Sequence, residues 1–132
     1  MGFGKTLTRV KSRKAHALQY AARGLRVVRM HPVQDGRCAC AKGEACDRPG
    51  KHPSTPHGVK DATTDPEQIK SWWAASPDAN IGIATGSESG ILVLDIDPRN
   101  GGAESLKRLE KELGPLPNTV TTITGGGGQH LI

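Results

Sequence analysis

With 132 residues the chain has the length of one domain, enough to bury roughly two-thirds of its unfolded surface, and leaves no room for a second enzyme domain. Hydrophobic residues make up 35% alongside 17 Gly and 9 Pro, which predicts a modest core and many loops in a small α/β domain. Eighteen Lys and Arg against thirteen Asp and Glu give a net charge of +5, favouring a polyanionic partner such as nucleic acid or nucleotides, and no apolar run has membrane length.

The opening stretch MGFGKTLTRVKSRK holds five basic residues and no acidic one, so residues 1–13 are read as a solvated basic tail able to add phosphate contacts. Two look-alikes within it are set aside. MGFGKT fits the loose myristoylation pattern, which matters only in a cell with the transferase. GKT resembles the end of a phosphate loop but lacks the first glycine and the preceding strand. From Ser12 to Arg23 the apolar positions Ala15, Leu18 and Ala22 follow helical spacing, with Gly24 placed as a left-handed cap. LRVVRM then reads as a short strand.

Residues 33–57 hold almost nothing apolar, and a structureless loop of that length needs a reason. CACAKGEACDRPGKH supplies one. Cys38, Cys40, Cys46 and His52 form a C-x-C-x5-C-x5-H set of soft and borderline ligands suited to a closed tetrahedral Zn²⁺ site, with His57 able to replace His52. The plain alternative is three unrelated thiols, yet free cysteines behave as buried hydrophobes and these sit among Lys, Arg, Asp and Gly. A zinc staple would present Arg37, Lys42, Arg48 and Lys51 to phosphates. Three cysteines within nine positions and no signal peptide argue for a reducing, cytoplasmic setting.

TTDPEQIKSWWAASP is marked as a helix by Asp65 at the N-cap, Pro66 in the first turn and Gln68 at the capping-box position. Ile69, Trp72 and Trp73 form its inward stripe, and the tryptophans are read as core rather than as a base-stacking platform. NIGIATG and GILVLDIDP read as two strands joined by SESG, the second apolar on both faces and therefore a buried central strand. In LVLDIDP, Asp95 and Asp97 share a face with Cα atoms about 7 Å apart, and two such carboxylates suit one or two hard divalent cations. The plain alternative is a strand ending in turn chemistry at DPRNGG. Haloacid-dehalogenase-like phosphatases and nucleotide-sugar glycosyltransferases also use D-x-D. The phosphatase pattern expects the motif on the first strand, and the glycosyltransferase reading explains neither cysteines nor glycines.

AESLKRLEKELG is an amphipathic helix with Leu106, Leu109 and Leu113 inward and Gly114 as its stop. NTVTTIT is a strand, followed by TGGGGQH and the start of another. Consecutive glycines admit an anion close to backbone N–H groups, and His130 is placed to donate to a phosphate oxygen; taken alone such a run is a flexible turn.

Together ALQYAARGLRVV, the loop ending GKHP, HGVKDATTDPEQIKSWW, ANIGIATG, ILVLDID, GGAESLKRLEKELGPLP and TGGGGQHLI form an ordered set. From about residue 14 to the last residue it resembles the N-terminal bifunctional primase/polymerase (prim-pol) domain of replication proteins from phages, plasmids and integrated elements, in the archaeo-eukaryotic primase superfamily. The resemblance implies an α/β (α+β) core over 14–132, with a mixed β-sheet flanked by helices and a zinc loop inserted at 33–57. It implies template-directed nucleotidyl transfer, with Asp95 and Asp97 holding Mg²⁺ or Mn²⁺ and His130 contacting nucleotide phosphates. Gly127, Gly128 and Lys60 join His130 in the expected nucleotide-binding set. Implied partners are DNA template and primer, nucleoside triphosphates and a helicase domain or subunit. Family members carry a third metal-binding carboxylate on a later strand, and Asp78 and Glu88 do not match it. The expectation is therefore a C-terminally truncated domain of weak or absent activity. The alternative of another class is a non-catalytic, zinc-stapled nucleic-acid-binding module.

Overall fold

The computed structural model describes residues 11–132, so the tail through residue 10, with both look-alike motifs, lies outside the described residues. The chain divides into two compact units, Met1–Ala84 and Thr85–Ile132. In the first, helix α1 (Arg13–Ala22) starts where the Ser12 side chain accepts from the Ala15 N–H at 3.2 Å. It ends at Gly24, whose φ of 82° suits a residue without Cβ. Its buried positions are Ala17 and Ala21 with Leu18 half-buried, one step away from the expected Ala15–Leu18–Ala22 stripe.

Strand β1 (Val27–Met30) follows, then a small hairpin of β2 (Val33–Gln34) and β3 (Arg37–Cys38). Two short 3₁₀ turns, Gly43–Ala45 and Gly58–Asp61, lead to helix α2 (Pro66–Ala75). Asp65 caps α2 through the Glu67 N–H at 3.0 Å. Strand β4 (Asn80–Ile83) returns antiparallel to β1, pairing Val27 with Ile83 and Met30 with Asn80.

The β1–β4 ladder separates two apolar clusters, because successive residues of a strand face opposite ways. Val27 packs with Ala17, Ala21, Ile69, Trp73 and Ala79 under α1 and α2, while Val28 packs with Ala62, Ala84 and Met30 on the other face. Trp73 is fully buried and its indole N–H donates to the Ala79 carbonyl at 3.1 Å, as a buried indole requires. Trp72 is only half-buried and lines an open cleft of about 440 Å³ with His57, Asp61 and Gln68. The expected inward stripe thus holds for Ile69 and Trp73 and only in part for Trp72.

In the second unit a turn closes with Gly86 bridged to Ile91, and strand β5 (Leu94–Ile96) follows. A 3₁₀ turn (Pro98–Asn100), helix α3 (Gly102–Leu113) and the hairpin of β6 (Thr121–Ile123) and β7 (Gln129–Leu131) complete it. The sheet order is β5-β7-β6, so β5 is an edge and not the expected central strand. Ile96 is buried, but Leu94 and Leu92 are 39% and 85% exposed, so the apolar run is not covered on both faces. Along α3, Leu109 and Leu113 are 48% and 81% exposed rather than inward.

The α/β class is realised by three helices and small antiparallel sheets among the described residues. Where a mixed sheet was expected, every described ladder is antiparallel.

Candidate metal centre and nucleotide site

The cysteine loop closes on itself in the first unit. A tight turn at Asp35 and Gly36, both at positive φ, folds β3 back on β2 and sets Cys38 opposite Val33. The Gly43–Ala45 turn then brings Cys46 back, its N–H on the Gly43 carbonyl at 3.3 Å, while the Gly43 N–H reaches the Cys40 carbonyl at 3.0 Å. His52 Nε2 lies 3.4 Å from the Cys38 sulfur and 3.5 Å from the Cys46 sulfur. All four ligand atoms, Cys40 included, fall within 4.8 Å of one another. Zn–S bonds of about 2.3 Å and a Zn–N bond of about 2.0 Å at tetrahedral angles put sulfur and nitrogen roughly 3.5 Å apart. The set can hold zinc.

Surrounding groups push the Cys38 and Cys46 thiols in opposite directions. The Gly50 backbone N–H, with smaller help from neighbouring groups, holds the Cys38 thiol down at about 6, whereas burial pushes the Cys46 thiol up. Gly50 is itself confined. Its φ is +71°, and a Cβ there would meet Asn80 Nδ2 and Val33 Cγ2 at 2.9 Å each. The Gly50 carbonyl accepts from Asn80 at 3.1 Å. His31 lies against His52 with ring centroids 4.5 Å apart, and its N–H donates to the His52 carbonyl at 3.0 Å. Burial, then the neighbouring His52 and Arg29, lowers the His31 pKa.

His57 is not in this set. Its backbone N–H and Nδ1 meet the Asp61 carboxylate at 2.9 and 3.2 Å, and the backbone donor foremost holds that carboxyl below its usual range. Lys60 lies exposed on the same 3₁₀ turn. Arg37, expected to face phosphates, is paired with Glu44 at 2.9 Å.

The second unit gathers the D-x-D motif, the glycine turn and His130. Asp95 pairs across the sheet with His130, and Thr122 pairs with His130 from the other side, so the three share one face. His130 Nε2 stands 3.5 Å from Asp95 Oδ1. Asp97 follows β5 with extended backbone (φ −101°, ψ 106°), which keeps the alternation that sets it on the side of Asp95, opposite buried Ile96. Its carboxylate accepts from Arg99 N at 3.0 Å, Arg99 Nε at 3.1 Å, Arg99 Nη2 at 3.3 Å and Asn100 Nδ2 at 2.9 Å. Chiefly the Arg99 side chain and backbone N–H hold the Asp97 carboxyl below its ordinary pKa.

Between β6 and β7 the glycines form a turn closed by Thr124. Its N–H reaches the Gly128 carbonyl at 2.9 Å, its carbonyl accepts from Gly127 at 3.0 Å and its hydroxyl accepts from Gly128 at 3.0 Å. The Gly127 and Gly128 N–H groups, expected to face an anion, are thus committed within the turn.

The family model described as Bifunctional DNA primase/polymerase, N-terminal, matches residues 17–132. The chain belongs to this prim-pol family. A search of curated proteins and a search of solved structures each found no match.

In this prim-pol chain, sequence spacing placed the four Cys/His ligands, and the structure selects His52 over His57. Asp95 and His130 come together as neighbours on one sheet face. Among the described residues no third carboxylate forms a compact cluster with Asp95 and Asp97. Sequence reasoning passed over Arg99, taken as turn chemistry, and the structure shows it bonded to Asp97 and lying over Gly126. The signal was its place two residues after Asp97, within reach of that carboxylate.

Proposed function

We propose that this prim-pol chain supplies the cation- and nucleotide-holding elements of metal-dependent, template-directed nucleotidyl transfer, the making and extending of primers in the replication of a phage, plasmid or integrated element. Its own activity is weak or absent, because no third carboxylate joins Asp95 and Asp97 among the described residues. The observation that carries the reading is the cross-strand pair of Asp95 and His130, 3.5 Å apart, beside the ionised Asp97. Two carboxylates on one face, Asp95 exposed and Asp97 half-buried, are hard oxygen donors, which fit Mg²⁺ or Mn²⁺. A divalent cation bound there would stabilise charge on the attacking and leaving oxygens.

The protein's own part is positioning. Asp95 and Asp97 would hold the cation, and His130, its Nε2 turned to Asp95, would donate its other ring N–H to a phosphate oxygen. Gly127 and Gly128 shape the turn that delivers His130. A primer 3′-hydroxyl attacks the α-phosphate and pyrophosphate leaves. Cys38, Cys40, Cys46 and His52 hold a structural Zn²⁺, and this thiol-rich set suits a reducing cytoplasm. DNA template, primer and nucleoside triphosphates are the partners, with a helicase as a further one.

Binding of a fluorescent deoxynucleoside triphosphate, followed by anisotropy with and without Mn²⁺, tests this. The wild-type chain is expected to bind only with the metal, and Asp95→Ala or Asp97→Ala to weaken binding tenfold or more. If Asp95→Ala leaves both nucleotide and DNA binding intact, the chain is instead a zinc-stapled nucleic-acid-binding module. Primer synthesis on single-stranded DNA with Mg²⁺ or Mn²⁺ then measures the activity itself.

A further inference from the structure

Arg99 is the one basic residue whose side chain the described contacts place on both halves of the second-unit site. Its guanidinium bonds the Asp97 carboxylate through Nε at 3.1 Å and Nη2 at 3.3 Å. The same group lies over the glycine turn, where a Cβ on Gly126 would come within 3.0 Å of Cζ and Nη2. A side chain there would press on the tip of Arg99. Asp95 adds to the field that holds the Arg99 charge.

Two further features bear on what the guanidinium does. The Arg99 backbone N–H and Asn100 Nδ2 hold Asp97 at 3.0 and 2.9 Å independently of the Arg99 side chain, so the carboxylate stays aimed when the guanidinium leaves. The Arg99 side chain is 72% exposed, and an exposed ion pair exchanges readily. A planar fork of donors released beside a glycine turn matches the geometry of a phosphate.

We propose that Arg99 is a resident counter-cation on Asp97 that exchanges with the divalent cation, and that the released guanidinium, seated beside Gly126, takes a phosphate oxygen of the incoming triphosphate. This rests on the assignment of Asp95 and Asp97 as the cation-holding pair. Arg99 thereby couples the two ligands: it opposes cation binding alone and supports cation binding with nucleotide.

The test titrates the full chain with Mn²⁺, reading free Mn²⁺ by electron paramagnetic resonance, and then adds a non-hydrolysable deoxynucleoside triphosphate. Arg99→Ala is expected to tighten Mn²⁺ binding without nucleotide about threefold or more, by removing the competitor, and to weaken Mn²⁺-dependent nucleotide binding about tenfold. Arg99→Lys should keep part of the competition and less of the nucleotide affinity, because an ammonium lacks the fork. Gly126→Ala is a second route that leaves Arg99 in place: its methyl group crowds the guanidinium tip, with the same two opposed shifts expected in smaller size. Unchanged or weaker Mn²⁺ binding in both Arg99→Ala and Gly126→Ala, or unchanged nucleotide binding in both, would overturn the role given to Arg99 while leaving the cation site standing. A wild-type chain whose Mn²⁺ binding is indifferent to Asp97→Ala would overturn both.

Discussion

Gly125 and Gly128 belong to the same run, yet they meet different surroundings. A Cβ on Gly128 would lie 2.4 Å from the Ile96 carbonyl oxygen, whereas nothing stands within 4 Å of one on Gly125 and its φ is not positive. Backbone cannot step aside as a side chain can, so Gly128→Ala is expected to cost about 3 kcal/mol and Gly125→Ala less than about 0.5 kcal/mol. Urea unfolding followed by far-ultraviolet circular dichroism separates the two, and equal losses would show that the turn does not pack on β5. The letters GGGG do not distinguish these positions, because the difference comes from a strand far away in sequence. Arg99 was hidden for the same reason, its second contact being Gly126. The Cys/His cluster was legible because soft donors are scarce and here lie close together in the chain. The choice between His52 and His57 was not, since it is settled by contacts that spacing does not report: His52 lies at the Cys38 and Cys46 sulfurs and His57 on Asp61.

At the scale of elements, the helices were legible where a polar side chain announces them. Ser12 and Asp65 each accept the backbone N–H that their position predicts. The apolar run at residues 91–96 was misread because composition reports how greasy a segment is and not which faces are covered. The 3₁₀ turn Gly58–Asp61 has its own clasp, the Asp61 carboxylate on the His57 N–H and ring. Asp61 is held below its ordinary pKa, so the stability it adds is complete above the normal carboxylate pKa of about 4 and fades as the pH falls through the lower folded value. Asp61→Asn is therefore expected to be less stable than wild type at pH 7, with the gap closing in acid. A gap that stays constant from pH 7 to pH 3 in thermal unfolding would count against the clasp.

At the scale of the whole molecule, both tryptophans, Trp72 and Trp73, lie in the Met1–Ala84 unit, which also holds the Cys/His set. Tryptophan fluorescence therefore reports the unit that zinc would staple. One zinc per chain is expected on metal analysis, and chelation should lower the fluorescence-detected unfolding midpoint; zinc at a hundredfold its dissociation constant stabilises by about 2.7 kcal/mol. A chelator that moves neither the zinc content nor the midpoint would remove the staple from the account. The Thr85–Ile132 unit has a different dependence, written in its strand order. β5 and β6 are each hydrogen-bonded to β7 and not to one another. A ribosome delivers both outer strands before the strand that joins them. During synthesis the facing edges of β5 and β6 stay unpaired until Gln129–Leu131 emerges, and Asp95 can meet His130 only then.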